Sequence, residues 1–107
     1  MNYLVIGSGG PALTVPEDMI EVLEDFVLPG FEVLKKLQSE NKILAGGVPL
    51  SERAVAFIID AASNEELDQI MRALPMWPML EWQVTPLQSF EGRAFQDRRM
   101  LQQLKRG

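Results

Sequence analysis

The chain has 107 residues, 47% of them hydrophobic, a formal net charge of −5, and neither histidine nor cysteine. That length fits one domain with one small core, and a core of this size makes oligomerisation a natural source of further burial. Without cysteine there are no disulfides, thiol nucleophiles or thiolate metal sites. Without histidine, acid–base chemistry falls to Asp, Glu, Lys or Tyr, and a transition-metal site is not expected.

The first apolar run, residues 1–7, is too short for a signal h-region and lacks a basic segment before it. No stretch approaches the roughly 20 apolar residues that span a bilayer. A cytoplasmic protein without a membrane partner is expected. The acidic balance argues against nucleic acid as a partner, yet it is uneven. Residues 91–107 hold Arg93, Arg98, Arg99, Lys105 and Arg106 against Glu91 and Asp97. A basic tail on an acidic body suggests docking on a neighbouring subunit; a solvated terminus is the alternative.

Residues 2–6 are rich in β-formers and are stopped by Gly7, Ser8, Gly9, Gly10 and Pro11, giving a first strand and a loop. The glycine run lacks the third glycine and the immediate helix of a dinucleotide fingerprint, so no cofactor is expected there or elsewhere. Pro16, Glu17 and Asp18 start a helix, because proline suits the first turn and acids complement the positive helix end. Met19, Ile20, Leu23, Phe26 and Val27 recur at helical spacing. Pro29-Gly30 should kink or restart the helix, whose apolar face continues through Phe31, Leu34 and Leu37 to an end near Glu40 and Asn41.

Residues 42–50 form a second extended segment, with Gly46-Gly47 marking a bulge or a close approach. From Arg53 to Asp60 runs the best strand of the chain, apolar from Ala54 to Ile59 without alternation, which predicts burial on both faces. Ser63 and Glu66 have the spacing of a capping box; Leu67, Ile70, Met71 and Leu74 give the second helix one apolar face. Pro75 and Pro78 bracket the following turn. Residues 79–87 alternate, with Leu80, Trp82 and Val84 opposite Glu81, Gln83 and Thr85, and form a fourth strand.

This order predicts an α+β, ferredoxin-like βαββαβ domain over residues 1–90: a four-stranded antiparallel sheet with two helices on one face. Residues 91–107 form the basic C-terminal tail, helical if Phe95, Met100, Leu101 and Leu104 mark an apolar face. The sheet face without helices needs a cover, and a second copy is the economical one, giving a dimeric α+β barrel.

The stretch ALPMWPMLEWQVTPL, from Ala73 to Leu87, resembles the muconolactone isomerase family in running from a second helix through leucine-proline, an aromatic, a second proline and an acidic residue into the last strand. Leu74, Pro75, Trp77, Pro78, Leu80, Glu81, Val84 and Leu87 carry the likeness, which extends over roughly residues 17–87. The resemblance implies the ferredoxin-like fold, a homodimer, assembly of dimers up to a decamer, and a proton shift in a small unsaturated lactone. The chain departs from the family at Gly30-Phe31, where members are charged, and in a second strand without ionisable groups.

For such a shift, a carboxylate in a cleft and an electrophile for the developing enolate are required. Glu81, on the barrel side of the last strand, is the candidate base, with a solvated or ion-paired glutamate as the plain reading. Arg53 could hold a substrate carboxylate or enolate, or pair with Glu52 or Asp60. Tyr3 could present its hydroxyl to the cleft, or be a strand aromatic. Trp77, Phe57 and Met79 are candidates for a substrate-binding wall, while Trp82 reads as core. Two functions follow: an isomerase-like protein with a small-molecule ligand, or a non-catalytic oligomeric binding or structural protein that keeps the scaffold.

Overall fold

In the computed structural model, which describes residues 1–10, 12 and 14–107, the chain begins with β1 (Asn2–Ser8), where Tyr3, Val5 and Gly7 point to one face and are buried. Gly9 and Gly10 follow with φ of 82° and 111°, a left-handed backbone that glycine adopts without steric cost. Pro11, expected to close this loop, lies outside the described residues.

Helix runs through the whole of α1 (Pro16–Val22), a π-helical turn (Leu23–Val27) and α2 (Leu28–Ser39). Pro29 therefore does not break the helix. The N–H of Leu28 donates to the carbonyl of Leu23, five residues back, so the widened turn comes immediately before the proline. Pro29 then stands in the first turn of α2, where a missing N–H is tolerated. Asn41 ends the helix at a φ of 60°, and the Lys42 N–H donates to the Leu37 carbonyl at 2.9 Å, the wrap of a helix C-terminus.

Three further strands, β2 (Ile43–Gly47), β3 (Ala54–Asp60) and β4 (Glu81–Leu87), complete an antiparallel sheet in the order β2-β3-β1-β4. Val5 pairs with Phe57 and Val84, fixing which residues share a face. β2 carries a register shift between Ile43 and Ala45, while the other edge strand, β4, contains Pro86 opposite Tyr3. Between the last two strands lie α3 (Asn64–Arg72) and a 3-10 turn (Trp77–Met79). This is the α+β, ferredoxin-like architecture expected from the order of elements.

The cap of α3 differs in one detail. Ser63 Oγ accepts from the Glu66 N–H at 3.1 Å, as a capping box requires. The Glu66 carboxylate, however, accepts from the N–H of Ala62 at 2.7 Å and from Lys42 Nζ at 2.9 Å rather than from Ser63. The nearby lysine supplies a charge-assisted partner that draws the carboxylate across.

The core is lopsided. Tyr3, Val5, Val55, Phe57 and Ile59 of the sheet pack with Leu67 and Met71 of α3 and with Leu74 and Met76 beyond it. By contrast, α1 and the π turn bury no residue and α2 buries only Gly30. The first helix stands off the sheet at one end, and the gap beneath it is the candidate site. On the helix-free face, Leu4, Ile6, Ala56 and Ile58 are half-buried in the single chain, not enclosed as the unbroken apolar run of β3 predicts. From β4 a long helix, α4 (Phe90–Arg106), projects away from the body without burying any residue, and stretches the molecule to 67 × 28 × 23 Å. No helix among the described residues is long and apolar enough to cross a membrane.

Candidate functional site

The gap under the first helix is a cavity of about 310 Å³. Its helix wall is Met19, Val22, Leu23, Val27 and Phe31; its sheet wall is Ala54 and Val55; Met76, Met79 and Leu80 close it from the turn before β4. Gly10 forms part of the rim, and a Cβ there would lie 3.2 Å from the Met79 carbonyl on a backbone that already has positive φ, so glycine keeps that edge open. Glu52 and Arg53 are the ionisable residues among its described lining, and both are exposed at the mouth. An apolar cavity with a few polar groups at one end is the usual form of a small-molecule site.

The expected site residues fall into three places. Arg53 and Met79 line the cavity. Glu81 lies on the helix-free face of the sheet, paired with Ser8, which on its other side pairs with Ala54; Arg53 and Glu81 therefore belong to the same end of the sheet, about 10 Å apart across two strand spacings. Tyr3 is five residues back along β1, about 17 Å towards the opposite end. It is 1% exposed, and its hydroxyl donates to Asn64 Oδ1 at 2.6 Å. A single chain thus does not bring Glu81, Arg53 and Tyr3 together on one enclosed space.

Trp77 lines a second cavity of about 340 Å³ between α3 and β4, which it shares with Tyr3, Asn64 and Trp82. The Arg72 guanidinium sits 5.1 Å over the Trp77 ring, and the Trp77 carbonyl accepts from Trp82 Nε1 at 2.9 Å. Phe57 is a buried core residue that touches a smaller cavity of about 150 Å³ below Gly46 and Gly47, adjoining the first through Phe31, Val48 and Val55.

Glu52 and the first half of the long helix are the parts of the site that sequence spacing does not single out. Met19, Leu23 and Val27 read as a core stripe, yet Met19 is 41% and Leu23 45% exposed because they face a space and not a packed layer. Glu52 stands in a short connection whose composition carries no signal of its own. Among the described residues no group of three or more carboxylates could hold a metal ion.

The profile of the muconolactone delta-isomerase family matches residues 12–92. Among solved structures, the fold is similar to muconolactone isomerase, with a TM-score of 0.67 and 21% identity over 83% of this chain and 90% of that one. It is also similar to 5-chloro-2-hydroxyhydroquinone dehydrochlorinase from Burkholderia phenoliruptrix in complex with 2,5-dihydroxybenzoquinone, with a TM-score of 0.61 and 16% identity over 85% of this chain and 97% of that one. A sequence search of curated proteins gives no match. A family profile that spans most of the chain, on a sheet order and helix placement that agree with it, makes this protein a member of the muconolactone delta-isomerase family.

Proposed function

We propose that this protein is a small-molecule isomerase that moves a proton within an unsaturated lactone or a related compound held in the cavity under the first helix. The observation that carries the reading is the cavity itself: about 310 Å³ of mostly apolar space with Arg53 and Glu52 side by side at its mouth, in a member of this family. The shift needs no co-reactant. A base takes a proton from the carbon next to the carbonyl, the C–H electron pair moves into the conjugated system as an enolate, and the base, whose proton exchanges with water at the exposed mouth, returns a proton at the far carbon.

In this scheme Arg53 holds the substrate carboxylate or the enolate oxygen through its fork of N–H donors. Glu52 carries the proton, since it is the carboxylate at the cavity mouth. A bound apolar ligand would exclude water there and strengthen both interactions. Glu81 enters if two sheets pair through their helix-free faces, the arrangement that the half-buried Leu4, Ile6, Ala56 and Ile58 favour. Such a homodimer, built up to a decamer and working in the cytoplasm, completes the proposal.

A non-catalytic binding role is the second reading, supported by the exposure of both ionisable residues at the rim. Following C–H exchange of unsaturated lactones in D2O by NMR separates the two. Exchange that depends on Glu52 supports the isomerase; cavity chemical-shift changes without exchange support the binder; absence of both overturns each.

A further inference from the structure

We infer that α4 of one chain docks on the outer face of α1 and the π turn of a second copy. The inference does not depend on what the cavity binds.

Two surfaces lack partners and have matching chemistry. On α4, Phe90, Ala94, Leu101 and Leu104 recur at helical spacing on one side, interrupted by Asp97, which pairs with Arg93 at 3.2 Å, and with Arg98 and Lys105 beside them. Phe90 is 97% exposed, and no residue of the helix is buried. An isolated helix of this length is marginal in water, so a packed neighbour is what would hold it. On the first helix, Ile20 is 56% exposed. Around it stand Glu17, Asp18, Glu21, Glu24 and Asp25, and no basic residue occurs from Pro16 to Leu34. An acidic helix with one exposed isoleucine thus matches a mainly basic helix with exposed apolar side chains, and the opposite charges set register between the surfaces.

The occupant comes from another molecule because α4 is aimed away from its own chain's cavity. β4 ends at Leu87, paired with Asn2, whereas the cavity lies at the Ser8 end of the sheet. Between Leu87 and Phe90 there are two residues, and both are fixed: Ser89 Oγ caps the helix by accepting from the Gly92 N–H at 3.0 Å, and Gln88 Nε2 donates to Gln96 Oε1 at 2.9 Å. Folding the helix back would break this link.

The natural absence of cysteine makes the test clean. Ile20→Cys and Leu101→Cys are made in separate full-length chains, both at exposed positions, and mixed under mild oxidation; Gln69→Cys on α3 replaces Ile20→Cys as the control. The expected result is a disulfide-linked heterodimer formed at least about tenfold faster with Ile20→Cys than with Gln69→Cys. Adding Arg98→Glu and Lys105→Glu to the Leu101→Cys chain should slow it several-fold, and Glu21→Lys with Glu24→Lys in the other chain should restore it. Equal rates, faster capture by Gln69→Cys, or no cross-link would overturn the inference.

Discussion

Lys42 Nζ donates to Glu66 Oε1 at 2.9 Å and so ties the start of β2 to the first turn of α3. The hydrogen bond from Lys42 is the main reason the Glu66 carboxyl is held below its ordinary pKa, with the Ala62 N–H second. The same bond raises Lys42 above its ordinary value. A depressed carboxylate stabilises the fold above its unfolded value and ceases to do so as pH falls through the folded one. The raised lysine contributes below its unfolded value and loses that contribution as pH rises through the folded one. Glu66→Gln should therefore lower Tm at neutral pH, with the difference from the parent closing in strong acid and again at strongly alkaline pH. Thermal melts across the pH range would show this; a constant difference would contradict it.

Gly7 sits under the indole of Trp82, and a Cβ at that position would come within 2.5 Å of the ring. Because Trp82 is also anchored by its bond to the Trp77 carbonyl, the ring has little freedom to move aside. Gly7→Ala should cost about 1–3 kcal/mol, the usual range for overpacking. Adding Trp82→Leu should recover part of the loss, which urea titration of the single and double variants would measure.

Tyr3→Phe removes a hydroxyl whose partner is Asn64, at the far end of β1 from Arg53. The expected effect is a loss of about 0.5–1.5 kcal/mol in stability with ligand turnover unchanged. A fall in turnover larger than the change in folded population would return the hydroxyl to the chemistry.

Arg53→Lys keeps the charge but loses the planar fork. For a carboxylate-bearing lactone, Kd should rise at least about tenfold, equivalent to about 1.4 kcal/mol, while a neutral analogue of the same shape should bind nearly as before. Calorimetry with the two ligands distinguishes this from a general disturbance of the cavity.

Most of the fold is legible in the sequence because its signals are local. Ser63 caps α3, the alternation of Trp82 and Val84 sets the face of β4, and Asn41 closes the long helix in the conformation that its short amide side chain tolerates. The candidate site is less legible because it arises from a mismatch between elements. Met19 and Leu23 have the spacing of core residues, and only the distance between the first helix and the sheet makes them a wall. Pro29 signals a kink or restart, but not the form it takes, a single π turn that absorbs the missing donor before α2 begins at Leu28. Glu52 acquires its place from the fold of the 48–53 connection, which has no periodicity to read.

The two outer strands carry a further consequence. A strand from another molecule laid along β4 would meet a missing donor at Pro86, and one laid along β2 would meet the register shift at Ile43 and Ala45. Filament growth by strand addition is thus obstructed on both flanks. Crowded copies of this chain are thereby steered away from amyloid-like stacking.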